Sequence, residues 1–340
     1  MFTTPRIGFA CKWIDTPEEC AGRKPTSESR DLNGRSTTMR WLREHPEEAE
    51  QRQWDIMNHN AAAALRMVER VGSLPEHLRM VRLGSEMLQG YTEPAWINWW
   101  QQQDVQSHLE RIFAPIGEAA RRLGVRLSFH PGQFCVLASE SDDIVNRSIQ
   151  EFEYHADMAR WMGYGRQFQD FKINVHISGR RGPDGIKAAL GRLSPEARNC
   201  ITIENDEMSW GLDASLELAD HLALVLDIHH HWINSAGEYI TPKDPRFQRV
   251  VDSWRGVRPV VHYSVSREDV LPDHCDRTLP DFQSLLAQGH KKAKLRAHSD
   301  FYWNSAVNEW AAEFSEHADI MCESKGKNLA SQAFAKHVFR

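Results

Sequence analysis

The sequence predicts a single (β/α)8 TIM barrel, because short apolar runs rich in β-branched residues alternate with longer helical patterns eight times. The length of 340 residues is close to that of a barrel with long loops. Ionisable residues recur at or near the carboxyl ends of the predicted strands, where barrels of this type carry their active sites. We therefore expect one domain over residues 1–340.

The strands and helices follow in strict order along the chain. The predicted strands are Arg6–Cys11, Leu78–Gly84, Val125–His130, Phe171–His176, Cys200–Asn205, Leu222–Ile228, Pro259–Tyr263 and Asp319–Glu323. The predicted helical stretches are Trp54–Val71, Val105–Leu123, Ile144–Met162, Ala214–His221 and Leu329–Val338. Two connections are longer than a minimal strand–helix unit requires. They are Thr16–Glu50, interpreted as a loop with one short helix, and Ser266–Trp303 after the seventh strand. Long loops inside a compact domain are usually functional or mobile.

The composition excludes several classes of protein. No segment has the roughly 18 consecutive apolar residues of a membrane span, and the start of the chain has no secretion signal, so we expect a cytoplasmic protein without membrane contact. The six cysteines form no Cys-x-x-Cys pair, which argues against a zinc ribbon or a redox motif. A net charge of −6 argues against coating of nucleic acid by bulk electrostatics but allows a local basic surface.

Predicted strands three to eight each bring a His, Asp or Glu to or near the carboxyl end. All carboxyl ends of a parallel barrel open onto one rim, so residues far apart in sequence converge there. The residues of this cluster are His130, His176, Glu204, Asp227 with the nearby His230, His262 and Glu323. Isolated histidines elsewhere are interpreted as structural, namely His59, His77, His108, His155, His317 and His337.

Carboxylates crowded at one rim repel one another, and divalent cations relieve that repulsion. The mixture of nitrogen and oxygen ligands favours zinc or manganese. We expect Glu204 and Glu323 to bridge two metals, the four rim histidines to supply nitrogens, and His298 to complete a site with His230. Clusters of two or three cations cleave phosphoesters, which makes Glu204, Glu323 and His262 the candidate catalytic residues. Lys325 and Lys327 lie within four residues after Glu323 and are expected to contact phosphates.

Four segments in order carry a family resemblance: Ser128–Phe134 (SFHPGQF), Ile203–Glu207 (IENDE), Leu226–His231 (LDIHHH) and Cys322–Lys327 (CESKGK). With Arg6-Ile7-Gly8 near the start, they resemble the successive signature segments of the UV damage endonuclease family. The resemblance runs from about residue 6 to about residue 327.

The resemblance implies a TIM barrel with up to three metal ions, commonly manganese, with zinc or iron as alternatives. Such an enzyme incises damaged double-stranded DNA 5′ to pyrimidine dimers and related distortions. No obligate protein partner is evident from the sequence, so we expect a monomer. By position, the implied metal ligands are His130, His176, Glu204, Asp227, His230, His262, His298 and Glu323. Gln133 and Phe134 fall where the family inserts a polar–aromatic pair into the duplex at the lesion.

This chain departs from the family at four positions. Phe9 and Phe134 stand where members often have Tyr, so they keep a face for stacking on DNA but lose a hydroxyl. Val260 stands where members often have Lys, and Glu86 stands where some members have His. These changes affect whether a third metal binds and which lesions are cut. Other activities known on related barrels are apurinic endonuclease, sugar isomerase and multinuclear iron oxidase acting on peptides. A non-catalytic metal-binding module is the remaining alternative.

Overall fold

The computed structural model describes residues 4–339, which form a closed barrel of eight parallel strands paired in chain order, with β8 returning to β1. The strands are β1 (Ile7–Cys11), β2 (Met80–Leu83), β3 (Arg126–Phe129), β4 (Lys172–His176), β5 (Ile201–Glu204), β6 (Ala223–Asp227), β7 (Val260–Tyr263) and β8 (Asp319–Cys322). Each lies within one of the eight predicted runs. The predicted fold class is confirmed.

The α-helices lie in the connections between the strands and after β8. They are α1 (Ser27–Leu32), α2 (Met39–Glu44), α3 (Pro46–Gly72), α4 (Ile97–Trp100), α5 (Gln103–Leu123), α6 (Asp142–Trp161), α7 (Gly182–Leu190), α8 (Pro195–Cys200), α9 (Leu212–Leu216), α10 (Ile228–Asn234), α11 (Pro245–Ser253), α12 (Phe282–Ala287), α13 (Lys292–Leu295), α14 (Ser305–Ala312) and α15 (Lys327–Val338). Among residues 4–339, no helix is both long and apolar enough to cross a membrane.

The connection after β1 differs from the prediction of a loop with one short helix. Within the segment Thr16–Glu50, the structure has α1, α2 and the first turn of α3. Thr26 and Thr38 cap the first two of these helices by accepting hydrogen bonds from backbone N–H groups one turn later, and Pro46 starts the third. Threonines and a proline that indicate a loop by composition therefore act here as signals for helix starts.

The strands alternate between two packing environments. One set of alternate residues, including Val81 and Ile203, packs outward against the helices in the main hydrophobic core. The opposite set faces the inside of the barrel, where a small apolar layer fills the middle, formed by Ala10, Met80, Ala223, Val225, Val260 and Met321. Side chains two residues apart in a strand point to the same face, so the residue two positions after each member of this layer also faces the inside. Four such residues lie on the carboxyl side of the layer, namely Arg82, Asp227, His262 and Glu323.

The amino end of the barrel is closed by ion pairs on one buried carboxylate. Asp319, at the start of β8, accepts hydrogen bonds from Arg126 Nη1 at 2.7 Å, from Arg258 Nε at 2.8 Å and from the backbone N–H of Arg6 at 3.0 Å. These contacts join the start of β8 to the start of β3 and to the residues just before β7 and β1. The charge of Asp319 is thus balanced within the chain.

Candidate metal centre

The cluster at the carboxyl end is built by the ends of β3 to β8. His130 follows β3, His176 ends β4, Glu204 ends β5, His262 lies in β7 and Glu323 follows β8. Asp227 ends β6 and caps α10 by accepting a hydrogen bond from the backbone N–H of His230 at 2.7 Å, which turns His230 back over the site. Glu204, Asp227 and His262 are fully buried. The structure thus brings together seven of the eight residues that the sequence suggests as metal ligands.

Four groups of side chains have donor atoms that all lie within 4.8 Å of one another. The groups are His130–His176–Glu204, His176–Glu207–His230, Glu204–Asp227–His230 and Asp227–His262–Glu323. Glu204 and Asp227 each belong to two groups, and these groups form a continuous chain of donor sets. A carboxylate shared between two such groups has the position required of a bridging ligand.

Several donor atoms in this cluster have no hydrogen-bond partner within the described residues. Glu204 Oε1, Asp227 Oδ2 and His262 Nδ1 are buried and make no hydrogen bond, although other ionisable groups lie close to them. His262 Nδ1 lies 3.1 Å from Glu204 Oε2 and 3.2 Å from Glu323 Oε1. Buried polar atoms without partners are rare in native proteins and call for an explanation such as a missing ion. Nitrogen and carboxylate donors at these separations fit transition-metal cations.

The imidazoles are oriented by hydrogen bonds from their other ring nitrogen. His130 Nδ1 lies 2.8 Å from the carbonyl oxygen of Pro131, and His230 Nδ1 lies 3.2 Å from that of Asn205. A carbonyl only accepts, so His130 Nδ1 donates and its Nε2 is left for the cluster. His230 Nδ1 also lies 3.3 Å from Glu204 Oε1, so both of its ring nitrogens face the cluster. His130 Nε2 lies 3.5 Å from Glu204 Oε2, and His230 Nε2 lies 3.8 Å from Glu207 Oε2. A hydrogen bond from one ring nitrogen to a backbone carbonyl, which leaves the other nitrogen for a cation, is typical of metal-binding histidines.

Charge repulsion in the cluster acts on Asp227. Burial, together with the nearby Glu204 and Glu323, raises the pKa of Asp227 to about 8, although His230 opposes this shift. Burial opposes the charge of Glu323 too, but Arg82 holds the pKa of that carboxyl well below its ordinary value. Neighbouring carboxylates disfavour each other's ionised form, and a cation bound among them favours that form.

Two basic residues inside the barrel were not anticipated from the sequence. Arg82 Nη1 forms a short ion pair with Glu323 Oε1, and Lys172 Nζ lies 2.9 Å from His262 Nε2. Burial lowers the pKa of Lys172 to about 7. Both occupy strand positions on the inward face, and a charged residue within an otherwise apolar strand is the signal that could reveal them.

Two acidic residues of the loop after β5 also join the site. Glu207 belongs to one donor group and pairs with Arg296 at 2.6 Å, whereas Asp206 Oδ2 lies 3.5 Å from His176 Nδ1. By contrast, His298 belongs to none of the four groups within residues 4–339, although its ring centre lies 6.1 Å from that of His230. His298 therefore lies beside the cluster without belonging to one of its donor groups, in the seventh connection, where it forms a β-bridge with Ser266.

The loop after β3 presents the residues suggested for DNA insertion. Phe134 is 84% exposed, which excludes a core position, and Gln133 beside it is exposed too. Both line a cavity of about 1240 Å³ beside the cluster, together with His130, Glu86 and Arg147. The volume exceeds the range of about 300–1,000 Å³ that is usual for small-molecule sites.

Phe9 does not lie on this surface. It is only 2% exposed and packs edge-to-face against Trp13 in the layer between strands and helices. Phe9 has the same strand parity as the outward-facing Ile7, so its ring points away from the barrel mouth. The suggested DNA contact of Phe9 is inconsistent with this position. Lys325 is exposed and pairs with Asp300 at 3.1 Å, whereas Lys327 is half-buried, which lowers its pKa.

Comparisons with known proteins agree with the fold and the motifs. A UV-damage endonuclease from Neurospora crassa is 29% identical over 203 residues, which are 55% of this chain and only 30% of the relative. A UV DNA damage endonuclease from Halalkalibacterium halodurans is 28% identical over 295 residues, covering 79% of this chain and 81% of the relative. The crystal structure of SacUVDE has a TM-score of 0.71 at 20% identity and covers 98% of this chain and 97% of its own. The model of the UV-endonuclease UvdE family matches residues 6–337, and the chain belongs to that family.

Proposed function

We propose that this protein is a metal-dependent DNA repair endonuclease that nicks the phosphodiester backbone 5′ to UV photoproducts and related distorting lesions. The observation that carries the proposal is the buried donor cluster, in which Glu204, Asp227 and His262 keep unpaired atoms directed at their neighbours. Membership of the UV-endonuclease family and the names of its relatives support the choice of substrate.

Two or three divalent cations, with manganese first and zinc or iron as alternatives, would be held by His130, His176, Glu204, Asp227, His230, His262 and Glu323. When bound, such cations activate water and stabilise the oxygens of a phosphodiester under attack. Glu204 sets the separation of two donor groups because it belongs to both. Asn174 Nδ2 donates a short hydrogen bond to Glu204 Oε2 and thereby fixes the orientation of this carboxylate.

Recognition of the lesion is assigned to the loop after β3. The exposed Gln133 and Phe134 would enter the stack where damaged bases leave it, because a dimer already weakens pairing and costs less to extrude than intact bases. An aromatic ring that stacks on a base contributes about 1–3 kcal/mol. Lys325 and Lys327 would contact the backbone of the duplex from the loop after β8. The substrate is thus damaged double-stranded DNA, bound by a single chain.

Incubation of the purified protein with manganese and an end-labelled duplex that carries one cyclobutane dimer tests the proposal. An abasic duplex and an intact duplex serve as controls. We expect a nick immediately 5′ to the dimer, no cleavage of intact DNA, and loss of the nick on chelation. Stronger cleavage at the abasic site would assign the protein to the apurinic endonucleases instead, and intact DNA in all three reactions would refute nuclease activity.

A further inference from the structure

We propose that Thr202, which is not among the suggested ligands, is a positioning residue that acts on Glu204 through Asn174. Its hydroxyl holds the Asn174 amide in the orientation that directs each oxygen of the Glu204 carboxylate toward a different donor group. The inference rests on the proposed function and adds a residue that tunes metal binding at the same site.

Asn174 and Thr202 form a polar pair inside the barrel, next to apolar neighbours. Thr202 on β5 is in register with Asn174 on β4 and with Ala223 of the apolar layer on β6. Two residues further along the same strands, His176 is in register with Glu204. Side chains two residues apart point to the same face of a strand, so the polar pair lies directly beneath these two ligands. Asn174, Thr202 and Glu204 are all fully buried, and polar groups in such a place need hydrogen bonds.

The hydrogen bonds of this pair run in one direction. Thr202 Oγ1 lies 2.8 Å from Asn174 Oδ1 and 3.5 Å from the carbonyl oxygen of Ile173, so its single proton is directed at the amide oxygen. Asn174 Nδ2 in turn donates a short hydrogen bond to Glu204 Oε2. A carboxylate that binds a metal is deprotonated and only accepts, so an amide turned over would place Oδ1 against Oε2. The hydroxyl of Thr202 therefore favours the one amide orientation that suits Glu204.

The orientation of Glu204 decides which donors each of its oxygens can join. Oε2, which accepts from Asn174, lies 3.5 Å from His130 Nε2 and 4.0 Å from His176 Nε2. Oε1 lies 3.3 Å from His230 Nδ1. A hydrogen bond to one oxygen restricts rotation of the whole carboxylate, so both oxygens stay with their own donor group. Loss of a partner that orients a metal ligand typically weakens metal binding about 10–100-fold.

Manganese affinity measured without DNA tests this inference. The purified chain is titrated with manganese, and the free ion is followed by its electron paramagnetic resonance signal. We expect Thr202→Val, which keeps the branched shape but removes the hydroxyl, to bind manganese about 10–100-fold more weakly. Thr202→Ser, which keeps the hydroxyl but loses a methyl group, should restore the affinity. A side chain that only fills space would give the opposite order.

A double-mutant cycle tests the route through Asn174. Asn174→Leu should also weaken manganese binding, and adding Thr202→Val to it should weaken binding no further, because the two residues act as one unit. Ser253→Ala is the matched control and should bind manganese normally. Its buried hydroxyl donates to the Val250 carbonyl at 2.6 Å and accepts from the Leu224 backbone N–H at 2.9 Å, near the start of β6.

Three results would overturn the inference while leaving the nuclease proposal intact. They are wild-type affinity in Thr202→Val, equal affinities in Thr202→Val and Thr202→Ser, and additive effects of Thr202→Val and Asn174→Leu. A wild type that binds no manganese would overturn both proposals.

If Thr202→Val does not fold, a crystal structure of the wild type grown with manganese decides. We expect Glu204 to bind one ion through each oxygen, with the Asn174 amide still bonded to Oε2. Ions bound through a single oxygen of Glu204, or an Asn174 amide turned away from it, would contradict the positioning role.

Discussion

The two ends of the barrel both bury charged side chains, but they balance the charge in different ways. At the amino end, Asp319 receives hydrogen bonds from Arg126, Arg258 and the backbone of Arg6. At the carboxyl end, Glu204 and Asp227 each keep a buried oxygen without a hydrogen-bond partner in the described chain. The buried carboxylate at the amino end thus has partners within the chain, whereas the two at the carboxyl end each have an oxygen that makes no hydrogen bond in the described residues.

The difference separates stability from function. A buried charge that loses its partner is strongly destabilising, so the fold depends on keeping the amino-end contacts intact. At the carboxyl end the same penalty is offset by cations from solution, which makes the site dependent on a ligand. Active sites of barrels lie at the carboxyl end, in agreement with this division.

Asp319→Ala should have the largest effect on stability. Removal of the carboxylate leaves Arg126 and Arg258 buried without a counter-charge, and breaking a buried pair in this way costs about 3–5 kcal/mol in the free energy of unfolding. Denaturant unfolding measures the change. Asp220→Ala is the control, because its ion pair with Arg249 is exposed and is worth at most about 1 kcal/mol. Wild-type stability of Asp319→Ala would show that the amino end is not structural.

Glu204→Gln should remove incision while leaving the fold and the binding of damaged DNA close to wild type. Changes at residues that merely orient metal ligands cost about 10–100-fold in activity, so a bridging ligand should cost at least the upper value. Single-turnover nicking of the dimer duplex gives the rate, and filter binding gives the affinity. His77→Ala and His317→Ala should cut normally. Near-normal nicking by Glu204→Gln would contradict the bridging assignment.

Phe134→Ala should weaken the preference for damaged over intact DNA without loss of stability. The expected loss is about 1–3 kcal/mol of discrimination, the contribution of one stacked ring. Competition binding between dimer and intact duplexes measures it. Phe129→Ala makes a matched comparison, since this fully buried ring five residues earlier should cost about 3–5 kcal/mol of stability. An unstable Phe134→Ala with full damage preference would refute the insertion role.

Lys325→Ala should have the smallest effect, on affinity alone. Loss of one phosphate contact should weaken binding to all duplexes similarly and reduce the slope of log affinity against log salt by about 0.9. Lys187→Ala, on the outer helix α7, should leave the slope unchanged. A wild-type slope for Lys325→Ala would assign this side chain to its ion pair with Asp300 alone.

The sequence predicts the barrel and most of the cluster because both depend on local patterns. Strands alternate with helices, and ionisable residues at strand ends must meet on one rim whatever the detailed packing. The donor residues from His130 to Glu323 follow from that rule. The helix starts at Thr26 and Thr38 were missed because threonine is common both in loops and in caps.

Features that depend on which way a strand side chain points were harder to predict. Phe9 lies one position before the inward-facing Ala10, and that single step turns its ring toward the helices. Arg82 and Lys172 reach the cluster from inside the barrel, where their partners come from β8 and β7. Such pairings require the register of all eight strands, which the sequence pattern does not specify.

The most direct test of the contrast between the two ends is the free energy of unfolding with manganese and after exhaustive chelation. We expect manganese to stabilise the wild type by about 2.7 kcal/mol for each ion at a hundredfold excess over its dissociation constant, and to stabilise Asp319→Ala by the same amount. Glu204→Gln should lose much of this gain. Equal stability of the wild type with manganese and with chelator would contradict a carboxyl end completed by metal ions.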